Sequence, residues 1–358
     1  MLQFPSHGAN YEQLYKNFKL DMPEIVYDLS ENVNFLGYPK QIENLWQQLL
    51  PKITAYPNPL AEPLRTIIAE KHKVSPECIL VGNGGAELLT FYAQLYKGKK
   101  VILVHPTFSE YKMTLEAAGA EIVNVTVNDL VNYELPLDEI KCHMKAADCL
   151  YLCNPNNPTG ALIQKNAILE LIEHGESVVC SLLIDEAFMD WTGEEHSAIE
   201  FVTSHENVTV VRSMTKMYGI AGIRLGYLIG RPDLVSTLRN RLPHWNVNNL
   251  AISIGIECLK DEEFRLRSIN ENLAIKNEII HFLKSYHCTV TNSTANFLCF
   301  QLQNPDETEN VYFHCLREGI VLRHTNNYEG MNGKWLRIGM KNREAMDKFK
   351  EVLADWHE

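Results

Sequence analysis

The chain has no pair of cysteines at C-x-x-C spacing, although nine cysteines are spread along its 358 residues. An odd number without that spacing argues against a disulfide framework and against a zinc knuckle, and predicts reduced thiols and no metal centre. No apolar run is long enough to cross a bilayer. The start, MLQFPSHGANYEQLYKNF, lacks the basic-then-apolar order of a signal peptide, so a soluble, cytoplasmic protein is expected. Positive charge is also scarce. With 33 Lys and Arg against 45 Asp and Glu, the net charge of -12 repels nucleic acid phosphates. The run Lys97, Lys99 and Lys100 reads as a solvated turn between a helix and a strand. Neither phosphate-loop pattern is complete. Gly82-x-Gly84 is followed by Glu87 where a dinucleotide-binding turn needs a third glycine, and GxxxxGK[ST] is missing. There is no internal repeat and no low-complexity segment.

What is present is a series of short Val-, Ile- and Leu-rich runs: CILVG, KVILVHP, CLYLCNP, SLLIDEA, VTVVRS and GYLIG. Their continuous hydrophobicity predicts strands buried on both faces, as in a parallel sheet covered by helices. Helical spacing falls between them, in GAELLTFYAQLYKG and FSEYKMTLEAAGA. Alternation along CLYLC puts Cys149 and Cys153 on one face. After WNVNNLAISIG the texture changes to a long charged helix over Asp261–Tyr286, then strands near NFLCFQL, GIVLRH and KWLRIGM, and a last helix. The expected division is a polar arm at 1–28, a large α/β domain with a mostly parallel sheet at 29–248 and a smaller α+β domain at 249–358. YPKQIENLWQQLLPKI would form the helix leading into the large domain.

Strand C-termini in an open parallel sheet converge on one edge, where ligands bind. At those ends stand a glycine-rich helix start (Gly84, Gly85, Ala86), an aromatic (Phe108), asparagines fixed between prolines in NPNNPTG (including Asn157), a buried acid (Asp185), and Ser213, Lys216 and Arg224. Amides at a helix N-terminus suit a phosphate. A buried amine with a depressed pKa attacks aldehydes, and an acid opposite a pyridine nitrogen keeps that nitrogen protonated. Each residue alone has an ordinary structural explanation. The ordered set has the parts needed to hold pyridoxal phosphate.

NPNNPTG, DEAF, SMTK and GIRLGY, in this order and spacing, resemble the fold type I pyridoxal-phosphate enzymes of the class I/II aminotransferase superfamily, over nearly the whole chain. The resemblance implies that Lys216 carries the cofactor covalently, Asp185 pairs with its ring nitrogen, Asn157 bonds its ring hydroxyl and Phe108 stacks on it. Ser213, Arg224 and the amides of Gly84 to Ala86 would hold its phosphate, and Arg337 a substrate carboxylate. Within the superfamily, HGAN, LSENVNFLG, Phe188 of DEAF, WNVNNLA and GIVLR resemble the threonine-phosphate decarboxylases of cobalamin synthesis. That likeness assigns His7, Gly8, Asn32, Asn157, Arg323 and Arg337 to a phosphorylated amino acid. Histidinol-phosphate aminotransferases are the next resemblance, supported by Gly219 and Ala221, while Glu31 departs from the small residue expected before Asn32. AYPNPLAEPLR resembles the segment whose tyrosine, here Tyr56, reaches the cofactor phosphate of a neighbouring subunit, which implies a homodimer with shared sites. A non-catalytic binding or regulatory protein on the same fold is the reading from another class, and the intact Lys216 argues against it.

Overall fold

The computed structural model describes residue 8 and residues 10–357; His7 lies outside the described residues. A short strand, β1 (Tyr27–Asp28), precedes β2 (Ile79–Gly82), β3 (Lys100–His105), β4 (Glu121–Thr126), β5 (Cys149–Cys153), β6 (Ser181–Asp185), β7 (Val208–Ser213) and β8 (Gly226–Ile229). The last seven form one sheet in the order β2-β8-β7-β6-β5-β3-β4. β8 runs antiparallel to both of its neighbours and the remaining pairs are parallel. The six apolar runs are the six strands β2, β3, β5, β6, β7 and β8. The seventh, β4, has the sequence EIVNVT, is exposed at Glu121, Asn124 and Thr126 at the sheet edge, and so lacks the continuous apolar run that marks a doubly covered strand.

Helix α1 (Tyr11–Phe18) precedes β1, and α2 (Gln41–Leu49), α3 (Leu64–His72), α4 (Gly85–Ala93), α5 (Ser109–Ala118), α6 (Leu137–Met144), α7 (Lys165–Val178) and α8 (Pro232–Arg239) accompany this sheet. Along β5, Leu150 and Leu152 join one hydrophobic cluster and Cys149, Tyr151 and Cys153 the other, so the sheet separates two apolar layers. α5 ends where Gly119 takes φ +78, and its amide donates to the carbonyls of Leu115 and Glu116.

The C-terminal part contains α9 (Asn249–Lys260), α10 (Glu262–Ser285), β9 (Thr289–Val290), β10 (Phe297–Gln301), α11 (Thr308–Arg317), β11 (Ile320–Val321), β12 (Arg323–His324), β13 (Leu336–Gly339) and α12 (Arg343–His357). A four-stranded antiparallel sheet orders as β12-β13-β10-β9, and β11 pairs in parallel with β1. GIVLRH is therefore divided between two sheets. Packing ties α9 to the large sheet. Ala251, Ile252, Ile254 and Cys258 of α9, with Phe264 of α10, join the cluster of that sheet, while Ile275, Ile279 and Leu283 farther along α10 join the second cluster. Leu14 and Tyr15 of α1, with Leu29, are buried in that second cluster, because α1 turns one apolar stripe inward.

Candidate active site

A cavity of about 300 Å³ opens at the C-terminal ends of β5, β6 and β7, closed from the other side by residues 30–33 and by Arg337 of β13. Gly8, Asn32, Gly85, Ala86, Phe108, Asn157, Asp185, Ser213, Lys216, Arg224 and Arg337 all lie on its wall. The wall gathers residues up to 329 positions apart, Gly8 to Arg337, because strand ends, unlike strand middles, are not covered by the flanking helices and leave room for other segments to close over them.

The helix α4 begins at this wall. Gly84, at φ +83, is its N-cap, and a Cβ there would stand 2.7 Å from Nη2 of Arg224, so the bare backbone lets the guanidinium lie against the helix start. Arg224 itself adopts φ +62 and donates from Nη1 to the carbonyl of Ala221 at 3.1 Å. Ser213, ending β7, shares a 2.7 Å hydrogen bond between its Oγ and Oγ1 of Thr215. Helix amides, a hydroxyl pair and a guanidinium thus face one corner, a set rich in donors that suits a phosphate dianion.

Asp185 is buried at the end of β6. Its Oδ2 accepts from the Tyr111 hydroxyl at 2.7 Å and its Oδ1 from the Ala187 amide at 3.0 Å. Burial pushes its carboxyl up to about 6, although both hydrogen bonds and Lys216 act in the other direction. Lys216, partly covered, has its amine pulled down to about 8 by burial and by the Arg337 guanidinium, while Glu31 and Asp185 oppose the shift. Phe108 meets the edge of Tyr111 with ring centroids 5.6 Å apart at 87°.

NPNNPTG forms a buried loop whose asparagines have different tasks. Asn154 Oδ1 accepts from the Ile163 amide at 2.8 Å, and Asn156 ties Thr159 to the carbonyl of Pro106. Asn157 alone reaches the cavity. Its Oδ1 accepts from Nη1 of Arg337 at 2.7 Å, while Nη2 of Arg337 donates to the Ser30 carbonyl at 2.6 Å. Arg337 Nε and Asn32 Oδ1 are buried without a hydrogen-bond partner.

Besides Gly84, which is not among the lining residues, two expected residues stand off this wall. Arg323 is buried and directly opposite Arg337 across the β12–β13 ladder, but its guanidinium donates to the His324 carbonyl and to Oδ1 of Asn327, both at 2.7 Å. It lies 5.1 Å from the ring centroid of Tyr328, and Tyr328 lines the cavity. Tyr56 is exposed on the surface against Trp245, with ring centroids 4.7 Å apart. The residues missed by sequence reasoning are Tyr111, Thr215 and Tyr328. Tyr111 had a signal, because it follows Phe108 by three residues at the start of a helix and shares its face. Tyr328 sits in an irregular loop with no periodicity to point to it.

The fold and the cavity define a class that known proteins make specific. Residues 16–353 match the family model of aminotransferase class I and II, and the chain belongs to that family. It is 30% identical over 350 residues to the histidinol-phosphate aminotransferase of Caldanaerobacter subterraneus subsp. tengcongensis, covering 95% of this chain and 96% of the relative. It is 28% identical over 356 residues to the threonine-phosphate decarboxylase of Salmonella typhimurium, covering 98% and 96%. The histidinol-phosphate aminotransferase of Sinorhizobium meliloti, solved in complex with pyridoxal-5'-phosphate, shares the fold with a TM-score of 0.86 at 18% identity, over 97% of this chain and 95% of that one. The protein is a pyridoxal-phosphate-dependent enzyme. The wall fits that cofactor on chemical grounds: a phosphate corner, a buried acid, a half-buried aromatic ring and an amine of lowered basicity face one cavity.

Proposed function

We propose that the enzyme releases carbon dioxide from L-threonine O-3-phosphate, giving aminopropanol phosphate, a step of cobalamin side-chain synthesis. The observation that carries the reading is the pair Arg323 and Arg337, buried side by side across one ladder. Two planar forks suit a substrate with two oxyanions, a carboxylate and a phosphate. Histidinol phosphate has only the phosphate, though the 2-oxoglutarate of the alternative reaction also carries two oxyanions. Phe188 agrees: it lines the cavity, packs edge-on against Phe297 at 4.8 Å and has no hydroxyl to offer.

In this reading Lys216 would hold the cofactor, Asp185 would pair with its ring nitrogen, Phe108 would stack on the ring and Asn157 would bond its hydroxyl. Ser213, Arg224 and the amides of Gly84, Gly85 and Ala86 would hold its phosphate. When bound, pyridoxal phosphate supplies a conjugated cationic ring that takes up the electron pair freed at the substrate Cα. The chain's own work is positioning. Arg337 would hold the carboxylate, and Arg323, with Asn32, Gly8 and His7, would orient the phosphate and so select which Cα bond is broken. Loss of carbon dioxide would leave an electron pair at Cα, to which Lys216 or water would return a proton. If the Cα–H bond were selected instead, Lys216 would remove that proton and transfer of the amino group would follow. The aminotransferase at 30% identity favours this second reading.

The same proposal includes a homodimer. Trp46, Leu50, Ile53, Tyr56 and Trp245 form an exposed apolar surface that a second copy would cover, with Tyr56 directed to its partner's cofactor phosphate. A fully active monomer in sedimentation would rule this out.

The deciding assay runs both substrates side by side, following carbon dioxide from threonine phosphate and glutamate from histidinol phosphate with 2-oxoglutarate. Carbon dioxide release is expected to dominate, and Arg323→Ala should weaken threonine phosphate binding by about 2 to 5 kcal/mol. Glutamate formation without carbon dioxide release would replace this reading with the second.

A further inference from the structure

Away from Lys216, a second enclosed space of about 410 Å³ lies between β2, the start of α3 and the end of α8. The segment Arg239–His244 puts Arg239, Arg241 and His244 within six residues of a chain whose net charge is -12. Lysine runs were the more visible basic feature of the sequence, and this one emerges only when the fold brings Arg65 to the same wall. Arg239, Asn240, His244 and Arg65 line the space, over the backbone of β2, and no carboxylate is among the described residues that line it.

The two arginines differ in how they are neutralised. Arg65 donates from Nε to Glu62 at 2.7 Å and from Nη1 to the Pro76 carbonyl at 3.2 Å, and Glu77 stands 3.8 Å away. Arg239 Nη2 is buried with no hydrogen-bond partner. A buried charged donor without an acceptor is unfavourable, and an oxyanion of matching shape removes that cost. Behind Asn246, which also lines the space, Glu87 accepts from the Asn83 amide and from Asn246 Nδ2, both at 2.7 Å.

We propose that this space is a second oxyanion site, taking the carboxylate or phosphate group of a small metabolite on the Arg239 fork, with His244 at the rim. Its volume is that of a small-molecule pocket. It is separate from the cavity around Lys216 and does not depend on which reaction occurs there.

Selenate soaked into crystals of the cofactor-loaded enzyme tests the site directly. An anomalous peak within hydrogen-bonding distance of Arg239 is expected. Sulfate titrated calorimetrically at constant ionic strength should bind this site roughly tenfold or more weakly in Arg239→Met. The visible absorbance of the cofactor should be the same in variant and wild type. No peak beside Arg239 in the wild-type crystal overturns the proposal even if the variant does not fold. Equal sulfate affinity in a folded Arg239→Met also overturns it.

Discussion

Asp185 and Glu186 are sequence neighbours, as are Arg212 and Ser213, yet the two members of each pair face opposite sides of the same strand ends. On the side away from the cavity, one guanidinium is shared among Glu186, Glu194 and Asp190. Arg212 donates from Nε to Glu186 at 2.8 Å, and from Nη1 and Nη2 to the two oxygens of Glu194 at 3.1 and 2.8 Å, while Ser197 and the Ala198 amide complete Glu186. Against the raising effect of burial, Arg212 draws Glu194 down to about 2. On the cavity side, Asp185 has a phenol and an amide for partners, and its carboxyl rises to about 6. Strand alternation thus assigns adjacent residues to different tasks. Paired charge locks β6 to β7; incompletely paired charge beside it is left for a ligand.

The contrast is tested most severely by removing one group from each side. Lys216→Ala should lose roughly 10²- to 10⁴-fold or more in turnover, the range for an acid–base group, while the variant unfolds cooperatively at close to the wild-type denaturant midpoint. Borohydride should no longer fix the cofactor to the chain; covalent attachment in the variant would remove Lys216 from its assigned place. Arg212→Met should have the reverse profile. Leaving Glu186 buried without its cation should cost about 3 to 5 kcal/mol in urea unfolding, with turnover per folded, cofactor-loaded molecule retained within a few-fold, about 1 kcal/mol or less. A stable Arg212→Met with collapsed turnover would show that the two faces are not separate in function.

This division was half legible in the sequence. The cavity side could be read because its residues end apolar runs in a fixed order, and β6 and β7 end at Asp185 and Ser213, as SLLID and VTVVRS suggest. The Arg212 network could not be read, because Glu194 and Ser197 come from irregular turns whose spacing has no period to follow. The same limit applies at α10. Its helical texture was visible, but the point where its buried residues change from one cluster to the other depends on tertiary neighbours. Arg323 was legible as an arginine after GIVL, whereas its orientation toward Asn327 and Tyr328 depends on a loop.

The smallest of these effects lies in the pH dependence of the cofactor-free protein. Asp185 titrates near 3.8 when unfolded and is raised by burial to about 6 in the native chain. Between those values the native state binds more protons than the unfolded state. Stability from this group is therefore fully present below pH 3.8 and is lost as pH rises through about 6. The loss corresponds to about 3 kcal/mol at most. Lys216 acts over a separate range. Its amine is lowered from 10.5 to about 8, so the unfolded state binds the extra proton there and stability grows as pH rises through that interval. Burial also raises other carboxyls, including those of Asp28 and Asp190, so the informative quantity is a difference between two proteins. Unfolding free energies of wild type and Asp185→Asn, both without cofactor, should diverge in favour of the variant as pH increases from 3.8 to 6 and then run parallel. A constant difference across that interval would mean that Asp185 carries no burial penalty, and the distinction between the two faces of β6 would then rest on hydrogen-bond geometry alone.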